Sequence, residues 1–292
     1  MNKVKHHWFY ALLIVVVGML LFPTYHWAHQ NVKELTLLHR SKLSPVIMIP
    51  GSSATVNRFD EMVNEINQQS LKKHSLLKAK VYNDGTIHYS GKINPNDNEP
   101  FIVVGFENNK DGYNNILKQA KMFDEAFGKL QQVYNFNNFK AIGHSNGGLV
   151  YTAFFEKYFK KYEDRVQAKK LMTIASPFNF SEDSMDHKTQ MLADFIEGRH
   201  NIPKNLIVYS VAGTKTYSSD GIVPEQSVEA GKYIFQGQVK SFTQITITGS
   251  DAQHSDLPQN PQIIDLVGRY ILQQPMNVKP NGSTMSGSQS HN

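Results

Sequence analysis

Short unbroken apolar runs alternate along the chain with longer stretches whose apolar positions recur every three or four residues. The runs Pro45–Pro50, Phe101–Phe106, Phe139–Ile142, Lys170–Ala175 and Leu206–Val211 predict buried strands, and Gln244–Thr248 predicts another. Helical spacing marks Arg58–Ile66 through Phe59, Met62, Val63 and Ile66, and Asn114–Val133 through Ile116, Ala120, Phe123, Phe127 and Leu130. Leu149–Tyr158, His187–Ile196 and Pro261–Leu272 read as further helices. Leu76–Tyr82 and Thr86–Ser90 flank Asn83-Asp84-Gly85, which predicts a hairpin turn. Strands that are apolar throughout need cover on both faces. The alternation therefore predicts an α/β fold: a mostly parallel sheet between helices, with the hairpin as an antiparallel start or edge.

The ends of the chain differ from this middle. Lys3 and Lys5 precede the apolar run Trp8–Phe22, the pattern of an export signal. Aromatics at Trp8–Tyr10 and Tyr25–Trp27 resemble interfacial belts, and a helix from Trp8 to Trp27 would reach roughly 30 Å. His26-Trp27-Ala28 is a poor cleavage site, so residues 1–30 are expected to be a signal-anchor rather than a cleaved signal peptide. Lysines ahead of the run place the rest outside the cytoplasm, anchored at the membrane or secreted. Residues 275–292 are polar and rich in Gly, Ser and Asn, and are expected to be disordered. Residues 43–274 form the predicted globular domain.

Composition narrows the chemistry. The chain of 292 residues carries a formal net charge of +5, but its basic residues are scattered and form no nucleic-acid module, so no nucleic-acid partner is expected. There is no cysteine, which excludes disulfides, thiolate nucleophiles and cysteine metal sites.

One serine stands out. Gly143-His144-Ser145-Asn146-Gly147 matches G-x-S-x-G between an apolar strand and an apolar helix. On so tight a turn, side chains at Gly143 and Gly147 would clash, while Ser145 is lifted clear of the sheet. A serine hydroxyl needs a base to become a nucleophile. Of the histidines that follow, His187 and His200 precede the next strand and His291 lies in the tail. His254, just beyond the last strand, is the expected base. The acid that holds its tautomer should also follow a strand. Asp220, in Ser219-Asp220-Gly221-Ile222-Val223-Pro224, is so placed; Asp251 and Asp256 share the loop of His254 and are poorer candidates. Two backbone amides should form an oxyanion hole: that of Asn146, and that of Ser52 after the first strand, with Ser53 as the alternative.

With Ile49-Pro50-Gly51-Ser52-Ser53-Ala54, Ala141–Gly148, Ser219–Pro224 and Ala252–Leu257, the chain resembles the α/β-hydrolases over roughly residues 44–274. Among them it is most similar to exported or cell-surface hydrolases of Gram-positive bacteria. The loop after the first strand often begins His-Gly in that superfamily; here it is Pro50-Gly51. The resemblance implies hydrolysis of carboxylic esters, small or lipid-like, through an acyl-enzyme, with no metal and no organic cofactor. An acyltransferase or peptidase could use the same triad, and a non-catalytic surface protein could keep the fold. Phe178–His200, with Phe178, Phe180, Met185 and Met191, is expected either to form a small cap over the acyl pocket or to be ordinary packing.

Overall fold

The computed structural model describes residues 15–25 and 41–272. Residues 15–25 are helical. The expected anchor Trp8–Trp27 lies only partly within the described residues, and among these no helix is long and apolar enough to cross a membrane. The tail 275–292 lies outside them.

Eight strands form one sheet: β1 (Val46–Ile49), β2 (Leu76–Val81), β3 (Ile87–Gly91), β4 (Phe101–Phe106), β5 (Asn138–His144), β6 (Gln167–Ile174), β7 (Ile207–Thr214) and β8 (Ser241–Thr248). Their order is β3-β2-β4-β1-β5-β6-β7-β8. All neighbours are parallel except β2 and β3, so the hairpin is an antiparallel edge. β1 and β4 are buried along their whole length, as continuous apolar runs require.

Alternate residues of these strands feed two separate cores. Ile47, Ile49, Ile102, Val104 and Ala141 face helices α2 (Tyr113–Tyr134) and α3 (Asn146–Lys157). There an aromatic cluster forms, in which Phe127 meets Phe139 and Phe154 with ring centroids 4.9 and 5.2 Å apart. Val46, Met48, Phe101, Val103 and Ile142 face the other way, toward α1 (Asp60–Gln69) and the C-terminal helix Pro261–Leu266. That last helix is shorter than expected, because Val267–Leu272 widens into a π-helical turn. The expected cap segment divides. Phe178 and Met191 are core residues, and Phe180 borders the cavity described below. Helix α4 (Gln190–Gly198) buries Leu192 and Phe195, so it belongs to the helical layer rather than to a separate lid.

The helix that follows Ser145 also carries a buried carboxyl. Glu156 is 9% exposed, and its Oε1 has no partner among the described residues. Burial, reinforced by Asp194 and opposed by Lys157, pushes its pKa up to about 9. The unfolded chain therefore loses this proton as pH rises through the ordinary carboxyl range, whereas the folded chain keeps it until about 9. Stability must fall over that window. Glu156→Gln is expected to remove the fall. Its melting temperature should match wild type near the ordinary carboxyl pKa and exceed it by several degrees at about pH 8. Melting curves for the two proteins that ran parallel across that range would contradict the assignment.

Candidate active site

Strand β5 ends at His144 and α3 starts at Asn146, so Ser145 alone makes the turn. Its backbone sits at φ 53°, ψ −126°, a strained conformation for a residue with a side chain. The flanking glycines are needed for close approach. A Cβ on Gly143 would lie 2.5 Å from the amide nitrogen of Gly148, and one on Gly147 would lie 2.1 Å from the carbonyl oxygen of Ile49. Neither backbone neighbour can move aside cheaply, which explains both residues predicted at these positions.

The structure brings together three side chains distant in sequence. His254 Nε2 lies 3.0 Å from Ser145 Oγ, and His254 Nδ1 lies 2.6 Å from Asp220 Oδ2. All three are buried: Asp220 is 1% exposed, Ser145 6% and His254 7%. Asp220 is fixed by its own loop, since Oδ1 accepts the amides of Ile222 (3.0 Å) and Val223 (2.7 Å). Gly221, at φ 94°, makes that turn possible, and Ser219 pairs with Pro224 across it. The amide of His254 donates to the carbonyl of Asp220 (3.0 Å), which ties the two loops together through the backbone. With Oδ2 accepting from Nδ1–H, Nε2 is left as an acceptor facing the serine hydroxyl. The other candidates lie elsewhere. Asp251, His187 and His200 are exposed, and His200 donates from Nδ1 to the carbonyl of Glu197 (3.0 Å). His291 lies outside the described residues.

The loop after β1 runs against Ser145: a Cβ on Gly51 would be 2.7 Å from Ser145 Cβ and 3.2 Å from Ser145 Oγ. The Ser53 amide donates to the Asn109 carbonyl (2.9 Å), so it is engaged. The amides of Ser52 and Asn146 donate to no protein acceptor among the described residues, and both residues line the cavity in front of Ser145. The geometry thus separates Ser52 from Ser53, which sequence alone left close together.

That cavity is open and about 1140 Å³. Pro177, Phe180, Ile222 and Val223 contribute apolar walls. Three of its polar residues were not anticipated. Asp111 Oδ1 accepts from Asn146 Nδ2 (2.8 Å), fixing the residue that follows Ser145. Arg58 donates to the carbonyl of Ser255, next to His254. His144, inside the glycine-serine motif itself, donates from Nε2 to the carbonyl of His254 (3.1 Å), and its ring packs against that imidazole with centroids 5.0 Å apart. Burial, then the neighbouring His254 and Arg58, hold His144 well below the usual histidine pKa, so it stays neutral with its proton on Nε2. The motif position of His144 was a usable signal. Asp111 and Arg58 carry none in the sequence, since only the fold brings their loops to the site.

Solved structures share this architecture. A protein of Lactobacillus plantarum WCFS1, described as a candidate cell surface hydrolase, is 54% identical; the match covers 80% of this chain and 94% of that one, with a TM-score of 0.74. A gene product of Listeria innocua is 27% identical over 80% of this chain and 96% of its own, with a TM-score of 0.72. No curated protein matches the sequence significantly. The fold is that of the α/β-hydrolases. Residues 36–274 match the family described as alpha/beta hydrolase of unknown function (DUF915), and the chain belongs to that family.

Proposed function

We propose that the protein is a serine hydrolase that cleaves carboxylic esters through an acyl-enzyme, at the outer face of the membrane or secreted. The observation that carries this reading is the unbroken hydrogen-bonded line Asp220–His254–Ser145, at 2.6 and 3.0 Å. His254 removes the serine proton as Oγ attacks the ester carbonyl. The amides of Asn146 and Ser52 receive the negative charge that develops on the carbonyl oxygen. His254, now an imidazolium beside Asp220, returns the proton to the leaving alcohol. It then activates water to release the acid and regenerate Ser145. The surface location draws on the lysine-led apolar run near the N-terminus and on the description of the L. plantarum relative. A panel of p-nitrophenyl esters of graded chain length tests the reaction class. Turnover that peaks at one length supports it, and no turnover on any member counts against it.

His144 acts here as a positioning residue, holding the loop of His254 by its backbone carbonyl. Glutamine can place its Nε2 where the imidazole Nε2 stood, whereas leucine leaves the carbonyl unsatisfied. His144→Leu is expected to lower kcat by about tenfold to a hundredfold with little change in KM, as small displacements of a catalytic group do. His144→Gln should restore most of it. Equal losses in both variants would mean that the bond to the carbonyl does not matter.

A further inference from the structure

The end of the sheet opposite Ser145 holds a cleft of about 560 Å³ lined by six lysines, Lys42, Lys72, Lys140, Lys169, Lys170 and Lys240, against one carboxylate, Glu99. Glu99 pairs with Lys140, and Lys170 donates to the carbonyl of Tyr270. The other four lysines have no ion-pair partner among the described residues. Like charges held this close repel. Burial and the charge of Lys140 lower the pKa of both Lys169 and Lys170. Nothing in the reaction proposed above uses these groups.

Three features point to what relieves the repulsion. The six lysines come from segments within or just before the starts of β1, β2, β5, β6 and β8, so the positive charge belongs to this whole end of the sheet rather than to one loop. Six ammonium groups against one carboxylate exceed what one small anion balances and suit a surface that bears several anions. The chain also enters the domain here: Lys42 and Ser44 line the cleft, Ser44 bonds to Asn98 and Asn138, and the lysine-led apolar run precedes them. Finally, Lys140 and Ser145 lie at opposite ends of β5, about 17 Å apart along the strand.

We propose that this lysine face docks on the phosphate groups of an anionic lipid membrane, with the Ser145 cavity directed away from the bilayer. The docking does not depend on the chemistry of Ser145. Its consequence, which rests on the ester-hydrolase reading, is that the substrate arrives from the aqueous side rather than from the membrane beneath.

Lysine acetylation of the full chain, read by mass spectrometry, tests the docking in vesicles of phosphatidylcholine with and without phosphatidylglycerol. A lysine at an anionic surface gains about 1 kcal/mol, roughly fivefold. Lys42, Lys72 and Lys240 are therefore expected to react about fivefold more slowly in the anionic vesicles, with the protection lost at high salt. Lys118, exposed on α2, should react equally in both. In a Lys42→Glu/Lys72→Glu/Lys240→Glu variant, Lys169 should lose its protection while hydrolysis of a soluble ester is unchanged. Equal acetylation of the face in both vesicle types would overturn the proposal. So would equal protection by inorganic phosphate, or by a short DNA duplex, without vesicles.

Discussion

Ser145→Ala is expected to lower ester turnover by about 10⁶-fold while leaving the fold intact, the scale seen when the nucleophile of a serine hydrolase is removed. The substitution deletes one oxygen, 3.0 Å from His254 Nε2, and keeps the Cβ that the turn already accommodates. The helix after it, the glycines around it and the bond between His254 and Asp220 do not depend on that oxygen. Melting temperature should therefore hold steady while turnover collapses. The residual rate would come from the Ser52 and Asn146 amides and from substrate binding alone. A variant that folds and still turns over esters at the wild-type rate would place the nucleophile elsewhere.

Asp220→Asn is expected to cost about 10⁴-fold, and the reason is legible in the hydrogen bonds. Oδ1 of Asp220 accepts two backbone amides, from Ile222 and Val223. An asparagine must leave its carbonyl oxygen there, because its amino group cannot accept. The amino group then faces His254 Nδ1 in place of Oδ2. Two donors would oppose each other unless the imidazole changes tautomer. In the other tautomer Nε2 carries the proton and can no longer take one from Ser145. The loss should appear in kcat, with circular dichroism unchanged. Wild-type kcat in this variant would show that another group orients the imidazole.

Much of this site could be read before any coordinates. Apolar runs buried on both faces gave the strands away, and Gly143 ends one while Ser145, Gly147, Asp220 and His254 each follow one, where loops converge at one end of a parallel sheet. What remained hidden has a common cause. Asp111 bonds Asn146, Arg58 reaches Ser255, and the six lysines gather at one end of the sheet only because strands far apart in sequence lie side by side. Periodicity records which face of an element is buried, not which loops meet. The segment Phe178–His200 was ambiguous for a related reason: apolar residues there satisfy a lid and a core equally well, and Phe178 and Met191 went to the core. The short helices Glu225–Glu229 and Lys232–Phe235 were missed because each is too brief to show a period. The cleavage of the lysine-led N-terminal run is a matter for the mature protein rather than for the fold.

The central claim is that Ser145 is the activated nucleophile, and covalent labelling addresses it most directly. The protein is treated with a fluorophosphonate, digested, and its peptides are mapped by mass spectrometry. A single phosphonyl adduct on Ser145, absent from Ser145→Ala and strongly slowed in His254→Ala, is the predicted result. An adduct on a different residue, or labelling of Ser145 at the same rate without the imidazole of His254, would contradict it.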